Sequence, residues 1–282
     1  MTTRPPARRT ARRIARAVAV VVGVYLALAY LVLPTFWRHY EHLPAMATMP
    51  TTTLSPNGLP GDPLNVALIG SEVEIQRAFA AAGWAPADPI TLRSSLGIAE
   101  SVILDRPDLV APVSNLLLFG RPQDLAFEKE VGGNARDRNH VRFWRTELHA
   151  DDGRPVWIGD AALDSGVELS HTTGQITHHI APDIDAERDT LMHDLESAGW
   201  LTARYDVTGI GPTLNGYNGG GDRYFTDGEL AVGVLAAKGA VGNRAVQKLE
   251  SPTVVVIKNQ FWSWLRPVLG ARGAAPDRAA GD

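Results

Sequence analysis

The residues with the most chemical capacity in this chain are four histidines, His140, His171, His178 and His179, and three carboxylates, Asp160, Asp183 and Asp185. Imidazole and carboxylate together can ligate a divalent metal, or act as general base and acid. No HExxH or HxHxDH spacing is present, so any metal would need its ligands gathered by the fold alone. The densest polar stretch is THHIAPDIDAER, residues 177–188. On a strand, alternate side chains share a face, so His178 goes with Ile176 and Ile180, and His179 with Gln175 and Thr177. Adjacent histidines on a regular strand cannot easily reach one ion.

Arg188 follows Ile184 by four residues and precedes Leu191 by three, inside the apolar stripe of a helix. An arginine there needs a carboxylate or phosphate partner, because an unpaired buried charge is costly. Two readings follow. In one, His140 or His178 is base or ligand, Asp183 or Asp185 is its carboxylate partner, and Arg188 stabilises an anionic transition state. In the other, Asp183 caps the helix, Asp185 and Glu187 suit its positive end, and Arg188 pairs within the fold.

A second group lies on the expected strand 140–147. His140, Arg142 and Trp144 fall on one face, Val141 and Phe143 on the other. If the second pair is core, the first face is solvent or a cleft, and Arg142 beside Trp144 suits a sugar ring or an anionic group. Gly209–Gly228 holds seven glycines with Asn218, Asp222 and Asp227, a long loop that either binds a ligand or merely connects. It is neither a P-loop nor a dinucleotide fingerprint. There is no Gly-x-Ser-x-Gly elbow, and without Cys there can be no disulfide, thiolate metal site or Cys nucleophile.

The elements that must position these groups read as α+β, mostly antiparallel sheet with a few packed helices, preceded by one N-terminal transmembrane helix. Leu64–Ile69 is an expected buried strand, and Ser71 with Glu74 forms a capping box ahead of a helix carrying Ile75, Phe79 and Ala82. A second helix is expected over Leu92–Leu104. Strands follow at 125–131, 140–148, 155–163, 167–170 and 175–180, then a helix at Ile184–Ala198 and strands at 201–207 and 229–235. Ser197-Ala198-Gly199-Trp200 echoes Ala81-Ala82-Gly83-Trp84, which would fit a duplicated strand–helix unit. The apolar run 253–257 leads to Phe261, Trp262, Trp264 and Leu265, which would dock on a bilayer surface or pack on the core.

Residues 17–33 carry no charge and Pro34 is expected to end them; 1–16 carry six arginines and no acid. This predicts a basic cytoplasmic tail, a membrane-crossing signal-anchor helix at 17–33, and the remainder on the far side. A cleaved signal peptide is the rival reading, with small-x-small patterns only inside the apolar run or well beyond it. Residues 34–62 read as a flexible linker rich in Pro and Thr, 63–258 as the folded domain, and 259–282 as an aromatic segment with a disordered tail. Beyond residue 16, 21 basic residues face 31 acidic ones, so the body repels phosphate backbones and nucleic acid is excluded as a partner.

Six stretches, LNVALIG (64–70), GRPQDLAF (120–127), HVRFWRT (140–146), VWIGD (156–160), THHIAPDIDAER (177–188) and NGGGDRYFTDG (218–228), resemble the LssY C-terminal domain family. The resemblance implies a domain that often follows polytopic membrane segments; this chain has one such helix, so the resemblance names a family rather than a reaction. The combined expectation is a membrane-anchored, extracytoplasmic accessory module. It would bind an envelope lipid, glycan or anionic ligand in a cleft formed by His140, Arg142, Trp144, His179 and Arg188. The alternatives are a metal-dependent or acid–base hydrolase at the membrane surface and a structural partner in an export complex. No cofactor is expected beyond a possible divalent metal, and the oligomeric state is left open.

Overall fold

The structure, a computed structural model, describes residues 6–36, 49–87, 116–131, 138–169, 176–208, 215–237, 242 and 245–270. Side chains at 165–179 lie outside that description, as do the expected helix 92–104 and His171. The chain divides into two compact units, Met1–His42 and Leu43–Asp282.

In the first unit, α1 (Pro6–Ala27) runs on through a π-helical turn, Leu28–Val32, and stays helical to Phe36. Thr10–Phe36 is long and apolar enough to cross a membrane: 27 residues at ~1.5 Å each exceed a hydrocarbon core of about 30 Å. Pro34 does not end the helix. The Leu33 N–H donates to the Leu28 carbonyl, and this widened turn makes room for a ring that would otherwise meet the carbonyl four residues back. Val18, Val20, Val21 and Val22 are all exposed, so the helix is bare around its circumference, as a lipid-facing segment would be.

The second unit begins β1 (Thr52–Leu54), β2 (Pro60–Pro63), β3 (Val66–Ile69), α2 (Glu72–Ala81) and β4 (Ala85–Pro86). There follow β5 (Leu117–Leu118), β6 (Arg121–Pro122), β7 (Leu125–Glu130), β8 (Arg138–His149), β9 (Pro155–Leu169) and β10 (Ile176–Ile180). The chain closes with α3 (Ile184–Ser197), β11 (Leu201–Thr208), β12 (Asn215–Tyr217), β13 (Arg223–Phe225), β14 (Glu229–Leu235), β15 (Gln247–Leu249) and α4 (Thr253–Gly270). The main sheet has the order β15-β11-β14-β3-β9-β8-β7-β4, with β10 also on β9; among its described strands, β11–β15 and β14–β3 are the parallel pairs and the rest are antiparallel. The α+β, antiparallel-rich class stands. The segments 155–163 and 167–169 are one strand, β9, with Ser170 outside the described residues, and 253–257 joins the aromatic run as α4.

The expected linker ends well before residue 62. Thr52 pairs with Pro63 and Leu54 with Leu117, forming a four-stranded sheet β2-β1-β5-β6. One face of the main sheet packs Val66, Leu68, Val141 and Phe143 against Ile75 and Phe79 of α2 and Leu191 and Leu195 of α3. The other face packs Ala67, Ile69, Trp144 and Ile158 against Leu64, Leu116 and Leu118 from the small sheet. Both faces of β8 are therefore buried.

The capping box forms as the sequence predicts: the Glu74 N–H donates to Ser71 Oγ and the Ser71 N–H to Glu74 Oε2. The two Ala-Gly-Trp echoes share a helix ending. Gly83 and Gly199 adopt positive φ, and the Trp84 and Trp200 N–H groups reach back to the Phe79 and Leu195 carbonyls. The common motif is a cap, which needs no duplication.

Gly159, in the middle of β9, is fixed by close approach. A Cβ there would lie 2.3 Å from the Arg142 carbonyl oxygen and 2.8 Å from the Phe143 ring. Gly159→Ala is expected to lower stability by about 1–3 kcal/mol in urea unfolding, because backbone cannot yield as a side chain can.

Candidate functional site

The site is built on the face of β8 and β9 that β2 covers. On β8, His140 and Arg142 point the same way, and the register sets Arg142 against Asp160 and His140 against Ala162 of β9. Period two then brings Asp164 to the same face as Asp160. From above, β2 contributes Asp62. All five charged residues are buried, none more than 7% exposed.

Arg142 Nη1 lies 2.9 Å from Asp160 Oδ1 and 3.3 Å from Asp62 Oδ2. His140 Nδ1 lies 2.8 Å from Asp164 Oδ1, and its Nε2 is 4.0 Å from Asp62 Oδ2. Among the described residues, His140 Nδ1 and Nε2 and Asp160 Oδ2 make no well-aligned hydrogen bond, although both imidazole nitrogens face carboxylates as ion pairs. Asp62, His140 and Asp160 can each offer a ligand atom, all within 4.8 Å of one another. Asn218 Nδ2 closes the edge, 3.5 Å from Asp62 Oδ1 and 3.0 Å from Asp222 Oδ2, and the Gly219 N–H donates to the Pro60 carbonyl. The glycine-rich loop thus acts as a clasp over β2.

Electrostatics follow from this packing. Burial acts to lower the His140 pKa and Arg142 acts with it, but Asp164 together with Asp62 brings it up to about 9. Burial pushes Asp160 up to about 6 despite Arg142. Burial also acts to raise Asp62, yet its pairing with His140 and the charge of Arg142 hold it below the ordinary value.

Arg188 belongs to a different knot. Its guanidinium grips Asp227 bidentately, Nη1–Oδ1 at 2.9 Å and Nη2–Oδ2 at 3.0 Å, and donates to the Glu229 carbonyl at 3.2 Å. Asp189 and Asp185 add contacts at 3.3 and 3.5 Å. Asp185 in turn accepts from Thr226 Oγ1 at 2.8 Å and from the Asp227 N–H at 2.6 Å. Burial raises Asp185 to about 6 against the pull of Arg188, and Arg188 itself is held charged by Asp227 in spite of burial. Asp183 is a helix cap, its Oδ1 accepting from the Ala186 N–H.

The structure therefore corrects the predicted cleft. His140, Arg142 and Trp144 do share a face, but it is not solvent: they are 1%, 4% and 0% exposed, and the Trp144 indole N–H donates to the Arg121 carbonyl. Arg188 is held instead by Asp185, Asp227 and the Glu229 carbonyl, none of which bonds His140, Arg142 or Trp144 among the described residues. Neither guanidinium is free to take an anion, since each is held by carboxylates. The backbone of β10 sets His178 against Val167 and His179 against Gly166. Three buried ionisable groups lay outside the predicted site. Asp164 was legible from its four-residue spacing with Asp160, which keeps both on one face of a strand. Glu187 was legible from its place on the Ile184–Leu191 face. Asp62, in a Pro/Gly-rich run, carried no signal.

Glu187 is 5% exposed, and its Oε1 has no hydrogen-bond partner among the described residues. Burial raises its pKa from 4.5 to about 8, with His140 partly offsetting the rise. The folded state thus holds this proton more tightly than the unfolded chain, so its contribution to stability is full at low pH. That contribution is lost as pH climbs from about 4.5 to about 8. Glu187→Gln, which cannot ionise, is expected to gain on the order of 2 kcal/mol over the parent between about pH 5 and pH 9, read from urea midpoints at each pH.

A family model described as LssY C-terminus matches residues 46–230, about two thirds of the chain. The match begins ahead of β1, in agreement with the inclusion of the small sheet in the domain. No curated protein and no solved structure matches the chain.

Proposed function

Because this chain belongs to the LssY C-terminal family and carries one apolar helix ahead of the family domain, we propose that it is a membrane-anchored accessory module with a buried divalent-cation centre. The observation that carries this reading is the convergence of Asp62, His140 and Asp160, with His140 Nε2 and Asp160 Oδ2 making no hydrogen bond among the described residues. Asp164 on His140 Nδ1 supplies the carboxylate–histidine arrangement that orients an imidazole toward a metal through its other nitrogen. One imidazole and two carboxylates suit zinc or manganese. Arg142 takes Asp160 Oδ1, which leaves Oδ2 for an ion.

The same burial argues against hydrolysis. A catalytic metal keeps an open coordination position and a path for substrate, whereas these three ligands are 7%, 1% and 0% exposed. The ion would tie β2 to β8 and β9 and so hold the small sheet in place. A testable consequence is that EDTA lowers the unfolding midpoint of the purified full chain and that zinc or manganese restores it. A midpoint indifferent to both would remove the cation from the account.

The arginine-rich N-terminus supports an orientation with the domain outside the cytoplasm. A periplasmic-type reporter fused after Leu235 should be active, and one active only in the cytoplasm would reverse the topology. For an envelope ligand, a groove of about 530 Å³ lined by Ala67, Ile69, Val156, Val207, Leu230 and Val232 favours an acyl chain over an anionic group.

A further inference from the structure

The last helix presents two opposed faces. On its docked side, Val255 is 1% exposed and Asn259 Nδ2 donates to Glu229 Oε1. At about 100° per residue these two positions lie about 40° apart on the helix. Ile257, Phe261 and Trp264 are 61%, 53% and 70% exposed. Their spacings of four and three residues put them within about 60° of one another, about 180° from the docked side. The Phe261 and Trp264 rings lie 6.3 Å apart and form one continuous apolar surface. The helix is docked on one side and exposes these apolar side chains on the other.

We propose that this stripe of α4 inserts into the surface of the bilayer that α1 crosses; the proposal rests on the membrane-anchored reading above. Three observations select lipid as the occupant. First, only fifteen residues, 37–51, separate the apolar helix from β1, so an extended chain keeps the domain within about 50 Å of the membrane. Second, Trp and Phe are the side chains that settle at the headgroup boundary, and in a helix lying in that plane they share one stripe. Third, the body beyond residue 16 is acidic, so an anionic surface would not draw it in by charge; an uncharged apolar stripe is the contact such a body can make. Insertion should therefore occur on zwitterionic lipid and persist at high salt.

The absence of Cys from the chain makes the test direct. Trp264→Cys and Ile257→Cys variants of the full chain, and an Asp151→Cys control in an exposed turn, would each carry an environment-sensitive fluorophore in phosphatidylcholine vesicles. Shallow spin-labelled lipid is expected to quench the labels at 257 and 264 at least about threefold more than the label at 151, at low and high salt alike. Equal quenching at all three sites, or disulfide cross-linking of Trp264→Cys between two copies in place of quenching, would overturn the proposal. Far-UV circular dichroism and the unfolding midpoint confirm that the variants fold. Flotation separates the two readings: a chain that fails to float with vesicles contradicts the anchor, and one that floats with unquenched labels contradicts the docking alone.

Discussion

Replacing Arg142 with Met is expected to lower the unfolding free energy by about 3–5 kcal/mol, because it strands buried carboxylates without their counter-charge. Arg142 stands between Asp62 and Asp160, neither of which reaches water freely. Methionine fills similar volume, so the loss would be electrostatic rather than a cavity effect. The variant also makes a second, opposite prediction. With the guanidinium gone, both carboxylates and His140 face a more acidic pocket, and zinc or manganese should recover part of the loss. Urea unfolding with and without the ion measures both terms. An Arg142→Met chain as stable as the parent would show that the ion pairs contribute nothing net.

Arg188→Leu is expected to cost a similar amount, about 3–5 kcal/mol, through another route. Arg188 is the hub joining α3 to the turn before β14: it holds Asp227 with two parallel bonds and the Glu229 carbonyl with a third. Leucine would match the Leu191 side of the stripe but abandon Asp185 and Asp227, two carboxylates already close together. The expected signature is loss of stability together with faster hydrogen exchange at the amides of Asp227 and Glu229, which donate to Asp185 and Asp227. Unchanged exchange there would mean that the turn holds itself.

These two arginines show how much of the site the sequence disclosed. Arg188 was legible because an arginine between Ile184 and Leu191 must be buried and must then find a carboxylate. Helix α3 announced its own start through Asp183, as α2 did through Ser71 and Glu74. Arg142 was placed on the correct face of β8, but that face was assigned to solvent or an open cleft. The alternation of Val141 and Phe143 with His140 and Arg142 describes a strand with one apolar face, and it carries no information about a second layer lying on the polar one.

That layer was hidden for a physical reason. Asp62 lies in NGLPGDP, a run whose prolines and glycines read as linker, yet β2 needs only a few backbone pairings with β1 to be held. Such short pairings require no hydrophobic period. The ending of α1 was misread for a related reason: a π-turn absorbed Pro34. In each case a local backbone solution overrode a composition rule.

The proposed cation centre at Asp62, His140 and Asp160 is tested most directly by elemental analysis of the purified full chain beside His140→Ala and Asp160→Asn. Close to one zinc or manganese per parent chain is expected, and almost none in either variant. A parent chain that folds, remains free of metal after dialysis against zinc and manganese, and matches its variants would contradict it.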